Sequence, residues 1–218
     1  MPCRKIKLVK NELYHIYNKS IADFKIFDRE EDYERMKDGL LFYSVGKPAC
    51  SFSFFRKLDK TKAILELLQN DLLTRIVDII AYCLMPTHIH FILKEIREGG
   101  ISKFMESISK SYSQYFNFKH GRKGPLWESR FNNVLVKTDV QFIHVTRYIH
   151  LNPVTAYLVN RPQDWKHSSY REYIGLATGT ERICSFAEYL TMEMKSYKNF
   201  VDEQIEYQRA LAATKTIS

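Results

Sequence analysis

Two stretches rich in isoleucine, valine and tyrosine, separated by only three residues, constrain the fold of this chain most strongly. They cover residues 74–84 and 88–93, and Met85-Pro86-Thr87 lies between them. β-Branched and aromatic residues are enriched in strands, and so short a connection can join only antiparallel neighbours. The sequence therefore predicts a β-hairpin.

The second strand of this hairpin carries two histidines, His88 and His90, with one residue between them. Successive side chains of a strand point to opposite faces, so both imidazoles lie on one face, with their Cα atoms about 6.6 Å apart. Two imidazoles at this spacing can bind one divalent ion. The alternative is a pair of solvent-facing histidines on a half-buried strand.

The rest of the chain interleaves strand and helix patterns without the regular alternation of a parallel sheet. Further strands are predicted over residues 11–17, 51–55 and 130–137. Helices are predicted over residues 29–45, 63–69, 101–118, 139–151 and 185–210. The pattern predicts an α+β fold in which helices pack on an antiparallel sheet.

Local signals predict where two of the helices begin and where one of them ends. Asp28 and Asp139 are candidate N-caps. Pro153 disfavours helical geometry in the residue before it, so the helix that starts at Asp139 is predicted to end near Asn152.

Size and charge limit the class of protein further. A chain of 218 residues can form one core with appended helices. Its formal net charge is +8 and its sequence pI is about 9.2. This balance favours a polyanionic partner such as nucleic acid, although solvated lysines alone could produce it.

Cysteine spacing and hydropathy point to a cytoplasmic protein that does not enter a membrane. The four cysteines are widely spaced and form no Cys-x-x-Cys pair, which argues against a disulfide framework and a thiolate zinc site. No apolar run is long enough to span a bilayer, and no secretory signal is visible.

The helix predicted over residues 139–151 carries the second candidate site. His144, Tyr148 and Asn152 form a row at four-residue spacing on its margin. A tyrosine hydroxyl beside a metal ion suits attack on a phosphodiester, and Asn152 could add an oxygen ligand to Mg²⁺ or Mn²⁺ held by the histidine pair. Alternatively, Tyr148 is a core-edge tyrosine and Asn152 a helix cap.

Three other residues are weaker candidates for the chemistry. Tyr112 and Tyr115 also lie on a helix that follows the histidines, but they occupy its apolar stripe and are predicted to be core residues. Cys83 is best explained as a small buried residue.

Four motifs occur in a fixed order along the chain and together resemble those of one known family. They are Pro86-Thr87-His88-Ile89-His90, Gly124-Pro125-Leu126-Trp127-Glu128-Ser129-Arg130-Phe131, Arg147-Tyr148-Ile149-His150-Leu151-Asn152-Pro153-Val154 and Trp165-Lys166-His167-Ser168-Ser169-Tyr170. From about Tyr14 to Gly175, the chain closely resembles the REP-associated tyrosine transposases, a branch of the single-tyrosine HUH transposases.

The resemblance implies a ferredoxin-like core that acts on single-stranded DNA, especially hairpins of repetitive palindromic sequences. It implies that His88 and His90 bind the metal ion, that Tyr148 is the nucleophile and that Asn152 is a further ligand. Tyr148 would remain joined to the 5′-phosphate of the cleaved strand and leave a free 3′-hydroxyl for later rejoining. Residues 1–175 would form the catalytic domain, and residues 176–218 a C-terminal helical extension.

The chain departs from the family pattern at three places. Asn18-Lys19-Ser20 stands where relatives often have Asn-Arg-Gly, and Thr87 replaces a frequent asparagine. Residues 48–73 form a longer segment than a minimal family core needs. None of these changes removes a proposed ligand.

Basic and aromatic residues near the motifs are candidate DNA contacts. Arg122, Lys123, Arg130 and Arg147 could bind phosphates, and Trp127 could stack on an unpaired base. Alternatively, Trp127 packs in the core and Arg130 ties loops together through carbonyl groups.

Three functions remain open on the sequence. The leading prediction is a metal-dependent transesterase of single-stranded or hairpin DNA, which would be nucleoid-associated when bound. The alternatives are a non-catalytic hairpin-binding or regulatory protein, and a hydrolase of small phosphoesters. The sequence fits either a monomer or a homodimer.

Overall fold

A computed structural model describes residues 7–48, 50–59, 61–62 and 75–215 of the chain. The strands in these ranges are β1 (Leu13–Lys19), β2 (Val77–Met85), β3 (His88–Glu95) and β4 (Asn132–Val136). The α-helices are α1 (Glu30–Tyr43), α2 (Phe52–Phe55), α3 (Gly100–Lys119), α4 (Asp139–Thr155), α5 (Tyr170–Tyr173), α6 (Met194–Asp202) and α7 (Ile205–Lys215).

The strands form one antiparallel sheet in the order β2-β3-β1-β4. The predicted hairpin is present, because Met85 at the end of β2 pairs with His88 at the start of β3. With α1 between β1 and β2 and α3 between β3 and β4, the core has the strand-helix-strand-strand-helix-strand order of a ferredoxin-like fold. The α+β prediction is confirmed.

The two faces of the sheet have different partners. Tyr14 and Ile16 of β1 and Phe91 of β3 are fully buried on the face covered by α1 and α3. There, the ring of Phe91 lies 6.4 Å from that of Phe104 in α3, measured between centroids. Because side chains alternate, the intervening residues of β1 and β3 point to the opposite face, which α4 partly covers.

Residues 51–55 are not extended, as their sequence predicted, but contain the short helix α2. The Ser51 side chain accepts a hydrogen bond from the backbone N–H of Phe54, which caps the turn. Phe52 and Phe55 then pack against Phe42 of α1. An aromatic cluster has overridden local strand propensity. The helix predicted over residues 63–69 lies outside the described residues.

The prediction that α4 ends near Asn152 is wrong, because the helix continues through Pro153 to Thr155. Proline removes one backbone donor, but the last turn is still closed by bonds from Ala156 N–H to the Asn152 carbonyl and from Leu158 N–H to the Pro153 carbonyl. The free energy gained by burying this turn offsets the hydrogen bond that Pro153 cannot donate. Asn152 is therefore held on a rigid helix.

The caps predicted from aspartates are also corrected. Thr138, one residue before Asp139, is the N-cap of α4, and its side chain accepts from Gln141 N–H. At α1 the N-cap is Arg29, and the carboxylate of Asp32 accepts the backbone N–H groups that precede the helix. At both helix starts, free backbone N–H groups are hydrogen-bonded by a side chain. In each case that side chain belongs to a residue near the aspartate that the sequence suggested.

Residues beyond 175 contribute to the same core as the sheet. The buried His150 of α4 forms hydrogen bonds of 2.7 Å to the Tyr197 hydroxyl of α6 and 2.8 Å to the Ser169 hydroxyl. The single helix predicted over residues 185–210 is instead the pair α6 and α7. The domain boundary after residue 175 stays a prediction.

Gly100, at the start of α3, leaves no room for a side chain. A Cβ atom at this position would lie 2.2 Å from the carbonyl oxygen of Ile76, a backbone atom. We expect Gly100→Ala to lower the free energy of unfolding by about 2–3 kcal/mol, because the backbone must shift. Urea denaturation measures this loss.

A matched control for this substitution is Gly39→Ala in α1. There the added Cβ would meet only side-chain atoms, those of Ile108 at 3.4 Å and of Tyr43 at 3.7 Å. Alanine favours helix, so stability should change by no more than about 1 kcal/mol. Equal stability of the two variants would contradict the steric argument.

Glu172 is a buried carboxyl group whose ionisation should affect stability. It is 2% exposed and accepts hydrogen bonds from the backbone N–H groups of Ile183 and Cys184. Burial raises its pKa from 4.5 to about 6, although the two N–H donors oppose this shift. The stabilising contribution of the protonated group is therefore complete below pH 4.5 and is lost as the pH rises through about 6.

Glu172→Gln keeps an amide oxygen for these donors but does not titrate. We expect the stability of Glu172→Gln, relative to the wild type, to rise by about 1–2 kcal/mol between pH 4.5 and 7.5. Urea denaturation across this range measures the difference. If the difference does not change with pH, Glu172 does not have a raised pKa.

Candidate active site

Five side chains of β1 and β3 project from the sheet face on which α4 packs. His15, Tyr17 and Lys19 alternate along β1, and His88 and His90 alternate along β3. In the antiparallel register Tyr17 lies opposite His90, and Lys19 lies opposite His88. The pairing of two central strands therefore places three imidazoles, a phenol and an ammonium group on one surface.

His88 and His90 lie on the same face, as their spacing predicted. Their ring centroids are 5.1 Å apart and the ring planes are at 89°. His88 Nδ1 forms a 3.0 Å hydrogen bond with Thr87 Oγ1, and His90 Nδ1 forms one of 3.0 Å with His15 Nε2. Because both Nδ1 atoms are engaged, the Nε2 atoms are the nitrogens left to bind a cation.

The environment keeps these imidazoles neutral at physiological pH. Burial lowers the pKa of His15 and of His88 to about 4. The pKa of His90 is lowered well below its usual value, first by burial and then by His88 and His15. Neutral imidazole is the form that binds a metal ion, so the site is electrostatically prepared for one.

Tyr148 lies beside the histidines in the same chain. Its ring centroid is 5.7 Å from that of His90 and 6.1 Å from that of His15. The side chain is 45% exposed, so a substrate can reach its hydroxyl. Burial raises the pKa of Tyr148, while a hydrogen bond from Asn152 opposes the rise. The phenol is thus protonated at neutral pH.

Asn152 lies one helical turn beyond Tyr148 and connects it to the histidine pair. Its Nδ2 donates a 2.9 Å hydrogen bond to the Tyr148 carbonyl. Its side chain also lies close enough to His88 to oppose the fall in the pKa of that imidazole. The structure therefore brings together the four residues that the sequence singled out, His88, His90, Tyr148 and Asn152.

The donor atoms at this surface fit a divalent metal ion held partly by the substrate. Among the described residues, no group of three or more histidine, cysteine, aspartate or glutamate side chains is arranged to hold a metal ion. An ion here would take two imidazoles and the Asn152 amide, with other oxygens from phosphate or water. This oxygen-rich set without thiolates suits Mg²⁺ or Mn²⁺.

Two of the candidate DNA contacts have internal partners. Trp127 is buried, and its Nε1–H donates to the Ser109 carbonyl at 3.3 Å, so it packs in the core rather than presenting a face to a base. Arg122 donates hydrogen bonds to the side chain of Asn117 and to the Pro125 carbonyl. These bonds connect the last turn of α3 to the loop that follows it.

The other three candidates differ in accessibility. The guanidinium of Arg147 lies 4.2 Å from the ring centroid of Phe200 in α6 and forms a hydrogen bond with His144. Lys123 and Arg130 are exposed. Their exposure leaves these two side chains accessible to a phosphate.

The rival tyrosines lie away from this surface. Tyr112 is 2% exposed, and its hydroxyl donates to the Ile26 carbonyl. The hydroxyl of Tyr115 donates to Asp32 at 2.7 Å. Both residues belong to α3 on the opposite side of the sheet, and Cys83 is fully buried. The interpretation of these residues as packing residues agrees with the structure.

Sequence reasoning missed His15, Tyr17 and Lys19 as members of the site. The alternation of His15 and Tyr17 was visible, whereas Lys19 lies beyond the predicted strand, and the pairing of β1 with β3 joins residues far apart in sequence. Near the end of β1, Asn18 Nδ2 donates to the carbonyls of Ser129 and Arg130. These bonds join the end of β1 to the second motif.

In the described part of the chain, no helix has the length and apolar character needed to cross a membrane.

Sequence comparison finds a family that matches the part of the chain carrying this surface. The family described as "Transposase IS200 like" matches residues 52–152. This range includes both histidines of β3, Tyr148 and Asn152. The chain is thus similar to the IS200-like transposases over the part that carries the candidate site.

More particular similarities are to REP-associated tyrosine transposases. A curated Haemophilus influenzae protein, provisionally named as one, is 28% identical over 101 residues, which cover 42% of this chain and 57% of that protein. The chain thus matches little more than half the length of this relative. The resemblance drawn from the four motifs is confirmed.

A solved structure has the same fold. It is a REP-associated tyrosine transposase bound to a REP hairpin, and it superposes with a TM-score of 0.53 at 15% identity. The match covers 88% of this chain and 98% of that one. At this identity the similarity supports the fold, which extends over nearly the whole of the solved chain.

Proposed function

We propose that this protein cleaves and rejoins single-stranded DNA at hairpins through a covalent bond to Tyr148. One observation carries the proposal: a half-exposed tyrosine lies 5.7 Å, between ring centroids, from a histidine of the β3 pair in the same chain. A buried tyrosine, or one on the other face of the sheet, could not reach a phosphate held at these histidines.

The reaction would be a transesterification in which Tyr148 replaces a deoxyribose oxygen. Its phenolic oxygen attacks the phosphorus, an O–P bond forms, and the bond from phosphorus to the 3′-oxygen breaks. The phenol loses its proton and the departing 3′-oxygen gains one, so the products are a 5′-phosphotyrosine and a free 3′-hydroxyl. The reverse attack by a 3′-hydroxyl rejoins a strand without an external energy source.

The residues of the site have separate roles in this scheme. His88, His90 and Asn152 would hold Mg²⁺ or Mn²⁺. The bound ion would neutralise charge on the scissile phosphate as the phosphorus is attacked. Asn152 would also orient Tyr148, because its side-chain Nδ2 donates a hydrogen bond to the backbone carbonyl of that residue.

Charge and similarity support a DNA hairpin as the substrate. The net charge is +8, and Lys123 and Arg130 are exposed at the second motif. The similar solved protein is bound to a REP hairpin. Phosphate contacts by basic side chains fix the register of a nucleic acid and make its binding sensitive to salt.

A hairpin oligonucleotide with single-stranded flanks tests the proposal. The DNA is labelled at its 5′ end in one sample and at its 3′ end in another, then incubated with protein and Mn²⁺. We expect a denaturation-resistant adduct only with the 3′-labelled DNA, and a released 5′-labelled fragment. An adduct with the 5′ label would contradict the proposed linkage.

Two other outcomes identify the alternative functions. Salt-sensitive hairpin binding without an adduct, in Mg²⁺ and in Mn²⁺, would favour a non-catalytic DNA-binding protein. Repeated turnover of a small phosphoester that is unaffected by Tyr148→Phe would favour a hydrolase.

A further inference from the structure

His15, like Tyr17 and Lys19, is a residue of this surface to which the proposed chemistry gives no role. It belongs to β1, and its Nε2 lies 3.0 Å from Nδ1 of His90. The two rings are stacked, with centroids 5.3 Å apart and planes at 22°. In such a contact between two imidazoles, one nitrogen must donate a proton and the other must accept it.

Counting protons shows which arrangement is compatible with metal binding. Two neutral imidazoles in contact share one proton, which lies on His90 Nδ1 or on His15 Nε2. If His15 Nε2 carries it, the proton of His90 is on its own Nε2 and blocks the lone pair there. If His90 Nδ1 carries it and donates to His15, His90 Nε2 is free to bind a cation.

We infer that His15 is a positioning residue that accepts the Nδ1 proton of His90 and thereby presents His90 Nε2 to the divalent ion. This inference rests on the proposed function, because it assumes that His90 binds the ion. A histidine ligand commonly donates its second N–H to a carboxylate, a carbonyl or water, which fixes its tautomer and ring orientation. Here a neutral imidazole supplies the acceptor.

The surroundings hold His15 in place for this role. Its ring centroid is 5.3 Å from that of Tyr17 and 6.1 Å from that of Tyr148, so it is packed between two aromatic rings. His88 Nδ1 has a different hydrogen-bond partner, Thr87 Oγ1 at 3.0 Å. His90 and His88 thus have separate hydrogen-bond partners, and replacing His15 should leave the contact between His88 and Thr87 intact.

The test compares two polar substitutions of His15 in the full chain. In His15→Gln the amide oxygen can reach the position of Nε2 and accept the proton, whereas the side chain of His15→Asn is too short. We expect His15→Asn to bind Mn²⁺ about 10–100-fold more weakly than the wild type, and His15→Gln to retain most of the affinity. Isothermal titration with Mn²⁺, without DNA, measures both.

Two controls separate positioning from folding and from a simple loss of imidazole. Thermal unfolding should show that both His15 variants are folded. His120→Ala removes an exposed histidine whose ring contacts that of Phe116, and it should leave the Mn²⁺ affinity unchanged.

The inference is overturned if His15→Asn binds Mn²⁺ as the wild type does, or if His15→Gln loses as much affinity as His15→Asn. It is also overturned if the wild type binds no divalent ion. By contrast, a wild type that binds Mn²⁺ but forms no DNA adduct contradicts the proposed function and leaves the role of His15 standing.

Discussion

Tyr148→Phe is expected to abolish covalent capture of hairpin DNA while leaving DNA binding intact. Phenylalanine keeps the ring that packs beside His90 and His15 but lacks the attacking oxygen. Removing a nucleophile of this kind lowers the rate by about 10³-fold or more. Denaturing electrophoresis measures the adduct, and a mobility-shift assay on the same samples measures binding.

Tyr157→Phe is the matched control for this experiment. Tyr157 follows α4 directly and is 66% exposed, so its hydroxyl is accessible but lies beyond the proposed site. This variant should form the adduct at the wild-type rate. If Tyr148→Phe still forms the adduct, another residue is the nucleophile.

His90→Ala should have the second large effect, through loss of the metal ion. The alanine variant lacks one of two imidazoles proposed to bind it and also leaves His15 without its partner. We expect single-turnover cleavage to fall by about 10²-fold or more at subsaturating Mn²⁺. Chelation of the metal in the wild type should have the same consequence.

A quenched single-turnover cleavage assay over a series of Mn²⁺ concentrations measures this effect. His120→Ala again serves as the control, because that exposed histidine is not part of the surface formed by β1 and β3. Wild-type cleavage by His90→Ala, or full activity of the wild type in excess chelator, would contradict metal dependence.

The parts of the fold that depend on local sequence were predictable. The β2-β3 hairpin follows from strand-forming residues on both sides of a three-residue gap, and α3 follows from its 3.6-residue apolar period. The shared face of His88 and His90 follows from alternation alone. These features depend on near neighbours in sequence.

The rest of the site depends on contacts between distant residues. Alternation over the predicted strand put His15 and Tyr17 on one face of β1, but only the pairing of β1 with β3 brings that face to the histidine pair. No local pattern indicates that β1 pairs with β3, because the two strands are far apart in sequence. His15 was therefore overlooked despite its 3.0 Å contact with His90.

Local rules also failed where packing was stronger. Pro153 predicted the end of α4, but the helix continues because Leu151 and Val154 are buried in the core around it. Likewise, Trp127 was a candidate for base stacking, but its indole lies in the core. In both cases the free energy of burial outweighs the preference read from sequence.

The most direct measurement of the central claim is peptide mapping of the DNA adduct by mass spectrometry. Nuclease trimming would leave a short nucleotide on the residue that attacked the strand. The account predicts a single modified peptide, with the nucleotide joined through its 5′-phosphate to Tyr148. A nucleotide on Tyr17, Tyr112 or Tyr115 instead, with Tyr148 unmodified, would contradict it.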